Sequence, residues 1–270
     1  MRLRLAVLIA VLGLAAPGLA RAEPLPNSMA ATGNSITRAF NAGAVPFIET
    51  PWNSWSTGAL RSWTHYRRIL ASNFRIFGRN HNDARSGARM ADLGRQVGLA
   101  VGQRVQYVTV LMGANDACAS SEAAMTPVAT FRAQFEQAMA TLAAGLPQAR
   151  VYVVSIPDVY RLWLLFHEDP NAVLAWSLTR FCRSMLARPT STAPEDEARR
   201  QRVRQRVVDY NRVLSEVCAF YVRCHSDGNA VFNYPFARAH VSRWDYFHPS
   251  LAGQRALANI TWAVGPYSTN

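Results

Sequence analysis

The stretch Tyr107-Val108-Thr109-Val110-Leu111-Met112-Gly113-Ala114-Asn115-Asp116 decides the fold. Its first six residues are apolar or β-branched without alternation, the pattern of a strand buried on both faces of a parallel sheet. Gly113 breaks the run, and Asn115 and Asp116 then stand where the strand ends. Residues 151–155 repeat the buried-strand pattern, and 28–32, 74–77 and 230–232 supply three weaker candidates, five in all. Helical spacing lies between them. Met90, Leu93, Val97 and Val101 recur at three- and four-residue steps, as do Val128, Phe131, Phe135 and Leu142. The longest helix starts near Pro194, with Glu195, Asp196 and Glu197 in its first turn, where negative charge suits the helix dipole. A last helix follows Pro249, over about 251–262. Strands alternating with helices imply an α/β domain: a parallel sheet covered by helices on both faces.

The ends and the composition bound the class. Arg2 and Arg4 precede an apolar run, and Ala20-Arg21-Ala22 offers small residues at the two positions a signal peptidase reads. Residues 1–22 are therefore expected to be a secretory signal peptide cleaved near Ala22, leaving one domain over 23–270. The run is short of the roughly 20 residues that a membrane span needs. Cleavage removes three arginines and lowers the formal charge from +12 to +9. Every basic residue is arginine, dispersed and without a nucleic-acid motif, so no nucleic-acid partner is expected; a basic surface does favour transient contact with anionic lipid. A monomer is the default.

Cys118, Cys182, Cys218 and Cys224 form an even set, which in an exported protein suggests two disulfides. Of the three pairings, the local one, Cys218 with Cys224, leaves Cys118 with Cys182, and this is favoured. If a helix ran through Cys218 and Cys224 their Cα atoms would lie about 9 Å apart, beyond the roughly 7 Å a disulfide spans. The helix must then stop near Tyr221. No CxxC or HxxxH spacing marks a metal site, so none is expected.

Four places carry candidate chemistry. Ser35, in Gly33-Asn34-Ser35, follows the first strand, on the rim where parallel sheets bind ligands. It lacks the GxSxG elbow of the α/β-hydrolases. Asp245-Tyr246-Phe247-His248 offers an imidazole base and, three residues before it, a carboxylate able to accept its Nδ1–H and fix its tautomer. Asn115 projects from the third strand end, where its amide could donate to an oxyanion. Ser86-Gly87-Ala88 is read as opening the helix after the second strand, with the Gly87 N–H aimed at developing negative charge. Each is ordinary alone: a turn serine, a capping Asp, a turn glycine.

In this order the four blocks closely resemble the SGNH (GDSL-type) hydrolase family, across essentially the whole mature chain. The resemblance implies a three-layer α/β/α sandwich, flavodoxin-like, with a five-stranded parallel sheet and no cofactor. It implies Ser35 as nucleophile, His248 as base and Asp245 as its orienting acid. The oxyanion hole would combine the Ser35 and Gly87 N–H groups with the Asn115 amide. Ala117-Cys118 and Ser155-Ile156-Pro157-Asp158 look most like the phospholipase B-like bacterial secreted branch. One departure is plain: the family usually has Asp where this chain has Asn34, a residue that also tolerates tight turns.

The implied activity is hydrolysis of a small-molecule or lipid ester through an acyl-enzyme on Ser35. Two other readings stand beside it: a carbohydrate O-deacetylase of the same fold, with an open cleft rimmed by tryptophans, and an inactive secreted binding protein. The aromatic-rich segments 41–66 and 157–190 could wall an acyl cleft or merely pack over the sheet edges.

Overall fold

The computed structural model describes residues 23–268, so the expected signal peptide lies outside the described residues. Five parallel strands form one sheet in the order β2-β1-β3-β4-β5. They are β1 (Met29–Gly33), β2 (Asn80–Asn82), β3 (Tyr107–Leu111), β4 (Arg150–Val153) and β5 (Cys224–Ser226). The seven longest helices among the described residues are α1 (His65–Ser72), α2 (Met90–Gln103), α3 (Val128–Gly145), α4 (Tyr160–Phe166), α5 (Pro170–Thr179), α6 (Pro194–Ala219) and α7 (Leu251–Ala263).

The three layers follow from side-chain alternation along β3. Val108 and Val110 enter one core with Leu93 and Val97 of α2, Phe131 and Phe135 of α3, and Val207 and Leu214 of α6. Tyr107 and Leu111 enter the other with Tyr66 and Ile69 of α1 and Leu257 of α7. Full burial of each such side chain contributes about 1.5–3 kcal/mol. The central strands β1 and β3 are thus dry on both faces, which is why β3 reads as a continuous apolar run.

Two expected strands are corrected. Residues 74–77 contain a 3-10 turn (Phe74–Ile76), and the strand follows at Asn80–Asn82. Residues 230–232 begin a short helix (Ala230–Asn233), and the strand precedes it at Cys224–Ser226. Both true strands are edges, three residues long and polar, so no apolar run marks them.

The two disulfides join Cys118 to Cys182 and Cys218 to Cys224, with Cα separations of 4.0 and 5.3 Å. Helix α6 ends at Ala219, and the chain turns so that the Cys224 N–H donates to the Tyr221 carbonyl. Two disulfides fit folding in an oxidising compartment. Among the described residues no helix is long and apolar enough to cross a membrane, and no group of His, Cys, Asp or Glu could hold a metal ion.

Candidate active site

The loop after β1 is shaped by a glycine that nothing else could replace. Gly33 has φ +148°, and a Cβ there would lie 2.6 Å from the Leu111 carbonyl oxygen. Gln96 on α2 grips the Gly33 peptide from both sides: its Oε1 accepts the Gly33 N–H at 2.7 Å and its Nε2 donates to the Gly33 carbonyl at 2.9 Å. Gln254 on α7 does the same further on, donating to the Ile36 carbonyl and accepting from the Trp55 N–H. Asn34 keeps the turn by accepting the Ile36 N–H on Oδ1 at 3.0 Å. An aspartate would make the same bond, so Asn34 leaves this part of the loop geometry intact.

Ser35 is thereby held beside His248, its Oγ 2.8 Å from Nε2. The His248 Nδ1 lies 2.6 Å from Asp245 Oδ2. Asp245 Oδ1 accepts the Phe247 and His248 N–H groups, closing a turn in which Tyr246 takes φ +53°. Burial pushes the Asp245 carboxyl up, but the His248 hydrogen bond and charge and these amides outweigh it and hold it below the ordinary value. The imidazole is edge-on to Phe40, Phe181 and Phe247, at centroid distances of 4.9, 5.5 and 5.0 Å.

Three groups in the loops after β1, β2 and β3 are the oxyanion donors that the sequence leads one to expect. The Ser35 and Gly87 N–H groups make no hydrogen bond to a described residue. Asn115 uses one amide N–H on the Ala88 carbonyl, at 2.9 Å, which leaves the second free. Gly87 corrects the expectation of a helix start. Helix α2 begins at Met90, and Gly87 lies in the preceding turn with φ +80°. The turn is tethered instead by Ser86, whose hydroxyl donates to Glu49, itself paired with Arg38. Next to Asn115, Asp116 accepts the Met90 N–H and the Thr126 hydroxyl. Burial pushes its carboxyl up to about 6, against the lowering effect of those bonds.

A narrow slot of about 80 Å³ opens beside Ser35, Asn115 and His248. Ile36, Pro157, Val159, Leu162, Leu165 and Phe236 wall it. Segment 157–190 therefore contributes to a cleft wall, but with aliphatics: Trp163 and Trp176 are core residues. Segment 41–66 contributes nothing to it, and Trp55 is buried in the second core. His65 is structural, bonded to the Tyr107 and Thr261 hydroxyls. His240 stands at the slot wall.

Sequence reasoning missed Asn41. Its Nδ2 donates to Asp245 Oδ2 and its Oδ1 accepts the Phe47 N–H, from a left-handed backbone at φ +58°. The only sequence signal is an asparagine in a turn-forming stretch. Gln96 and Gln254 carried none, being ordinary helix residues.

This parallel sheet, with serine, histidine and asparagine gathered at its carboxyl rim, is the SGNH hydrolase fold. The chain belongs to the GDSL-like lipase/acylhydrolase family, a family of carboxylic ester hydrolases, whose sequence model matches residues 31–256. Among solved structures it is similar to an acetylxylan esterase from Geobacillus stearothermophilus (TM-score 0.51, 15% identity, covering 88% of this chain and 93% of that one). It is also similar to an extracellular lipase from Streptomyces rimosus (TM-score 0.51, 18% identity, 88% and 99% covered). A family 3 carbohydrate esterase from Clostridium thermocellum gives a TM-score of 0.50 at 13% identity, with 87% and 92% covered. No curated protein matches it in sequence.

Proposed function

We propose that the chain is a serine ester hydrolase of the phospholipase B-like kind, exported by the signal peptide over 1–22 and acting on simple acyl or lipid esters. The observation that carries the reading is the unbroken chain from Ser35 Oγ to His248 to Asp245, at 2.8 and 2.6 Å. Ser35 attacks the ester carbonyl and gives its proton to His248 Nε2, while Asp245 holds the Nδ1–H tautomer and stabilises the imidazolium. The Ser35 and Gly87 N–H groups and the free Asn115 N–H receive the oxyanion. His248 then protonates the departing alcohol, and water releases the acid by the same route.

The slot favours an acyl chain over a sugar acetyl group. Its walls are mainly aliphatic, with Phe236 and Phe247 the phenylalanines among them, and no tryptophan lines it to offer the broad face on which a sugar ring stacks. Each buried methylene is worth up to about 0.8 kcal/mol. The rate on p-nitrophenyl esters should accordingly climb, by up to roughly fourfold in kcat/KM per methylene beyond acetate, until the slot is full. A series that falls from acetate onward favours the deacetylase.

Ser35→Ala should lower turnover by roughly three to six orders of magnitude while the fold persists. A fluorophosphonate should label the wild type and not this variant. Labelling retained in the variant removes Ser35 from the mechanism.

A further inference from the structure

A second depression, about 300 Å³, adjoins the slot and shares Asn115 and Phe247 with it. Its other walls include Ser120, Arg180, Phe181, Arg183 and the disulfide of Cys118 and Cys182. No carboxylate lines it. Arg180 and Arg183 are exposed, and neither guanidinium has a partner among the described residues. Many arginines on this surface are unpaired; these two differ in bordering the candidate reaction centre.

The loop that carries them is built in, not draped. Arg180 and Cys182 take left-handed backbone, φ +57° and +51°. Such non-glycine residues persist only where the surroundings enforce them. The effect is to turn Phe181 inward onto Phe247 and His248, while Arg180 and Arg183 stay at the rim. Ser184 fastens the loop to the segment after Asn115: its hydroxyl donates to the Ala117 carbonyl and its N–H to that of Ala119. The disulfide adds a covalent tie.

An ester has two halves, and the two depressions meet at Asn115. The slot is apolar, and its charged residues are engaged: Asp158 with Arg204, and Arg161 with the Phe236 carbonyl. The acyl half fits there, which leaves the alcohol half to the second depression. We infer that the alcohol half carries an anionic group, phosphate or carboxylate, held by Arg180 and Arg183. Guanidinium donors match both oxyanions. This inference rests on the acyl-enzyme reading above and assigns the leaving group, which that reading leaves open.

The test compares butanoyl esters of glycerol, glycerol 3-phosphate and glyceric acid, which share an acyl group and differ in the charge of the alcohol. Wild-type kcat/KM should favour an anionic ester over the neutral one by roughly tenfold, the order of one charge-assisted hydrogen bond at an exposed rim. The larger of the two anionic preferences names the anion. In the Arg180→Gln/Arg183→Gln double variant the ratio should fall to within about twofold, through KM, and the Lys/Lys variant should restore part of it. Raising salt from about 0.05 to 0.5 M should erode the wild-type ratio, because rim charges are screened. A wild-type ratio near one, or a ratio that survives the Gln/Gln substitution, overturns the inference. No turnover of any ester by wild type would instead overturn the hydrolase reading beneath it. The Ser35→Ala protein keeps the two failures apart, since it should still bind the anionic ester more tightly than the neutral one.

Discussion

Asn41 and Asp245 lie 204 residues apart in sequence and share a buried hydrogen bond, the amide of one donating to the carboxylate oxygen that also receives His248 Nδ1. Asp245 thus has four donors on two oxygens: His248 Nδ1 and the Asn41 amide on Oδ2, and two backbone amides on Oδ1. Such a carboxylate has no freedom to swing. It presents one lone pair to the imidazole in one direction, which is what tautomer selection requires.

On the proposed mechanism Asn41 would be a positioning residue. Asn41→Ala should lower kcat by roughly ten- to a hundredfold with little change in KM, because the imidazole loses its fixed orientation and the substrate pockets are untouched. Asn41→Asp should be worse, since it sets a second carboxylate against Asp245 in a buried site. A kcat unchanged in both variants would show that the two amides orient Asp245 without help.

For Asn115, truncation to Ala should cost on the order of 10²–10³ in kcat with KM nearly constant, because its free N–H would act on charge that appears only in the transition state. The truncation also removes the bond to Ala88. Thermal melting of the variant checks that this structural loss is small. An effect confined to KM would make Asn115 a substrate-positioning group only.

His65 governs part of the acid limit. Burial, with the Arg68 charge second, pushes its imidazole down to about 3 from the ordinary 6.5. The unfolded chain binds this proton and the folded chain does not, so its contribution is complete above about 6.5 and is lost as pH falls toward 3. Asp116 has the opposite sign. Its carboxyl is raised to about 6 from 3.8, so stability from its protonated form is full below about 3.8 and lost as pH rises through 6. Between those values the two oppose one another. The unfolding free energy of wild type minus that of His65→Gln should thus rise by about 1.4 kcal/mol per pH unit between roughly 3 and 6.5 and be flat above. A difference independent of pH would mean that the buried ring is charged in the native state.

What the sequence made legible follows burial. β1, β3 and β4 have neighbours on both sides and helices on both faces, so their buried residues are mostly apolar or small and the pattern showed. β2 is Asn80-His81-Asn82, at an edge, where Asn82 and Asn80 use their amides on Thr37 and Thr57 carbonyls. Nothing in such a tripeptide announces a strand, and the nearby apolar Phe74 and Phe77 drew the assignment instead; both are exposed and stack on each other. At the site, Ser35, Asn115 and the Asp245–His248 pair were legible because each sits beside a strand end or a local turn with its own signature. The supports were not. Gln96, Gln254 and Asn41 act across 63 to 218 residues, and a long-range hydrogen bond leaves no local periodicity to read.

The grip of Gln254 on the Ile36 and Trp55 peptides has a consequence in time. Ser35 belongs to the first strand's loop, and its partner His248 is separated from it by 213 residues. The loop itself is braced by α7, which follows His248. While the chain is being made, the serine emerges early with neither base nor brace. On the proposed mechanism a growing chain would therefore harbour no competent centre until nearly all of the domain has been synthesised. Activity would then switch on with completion of the last helix, not with the emergence of the serine.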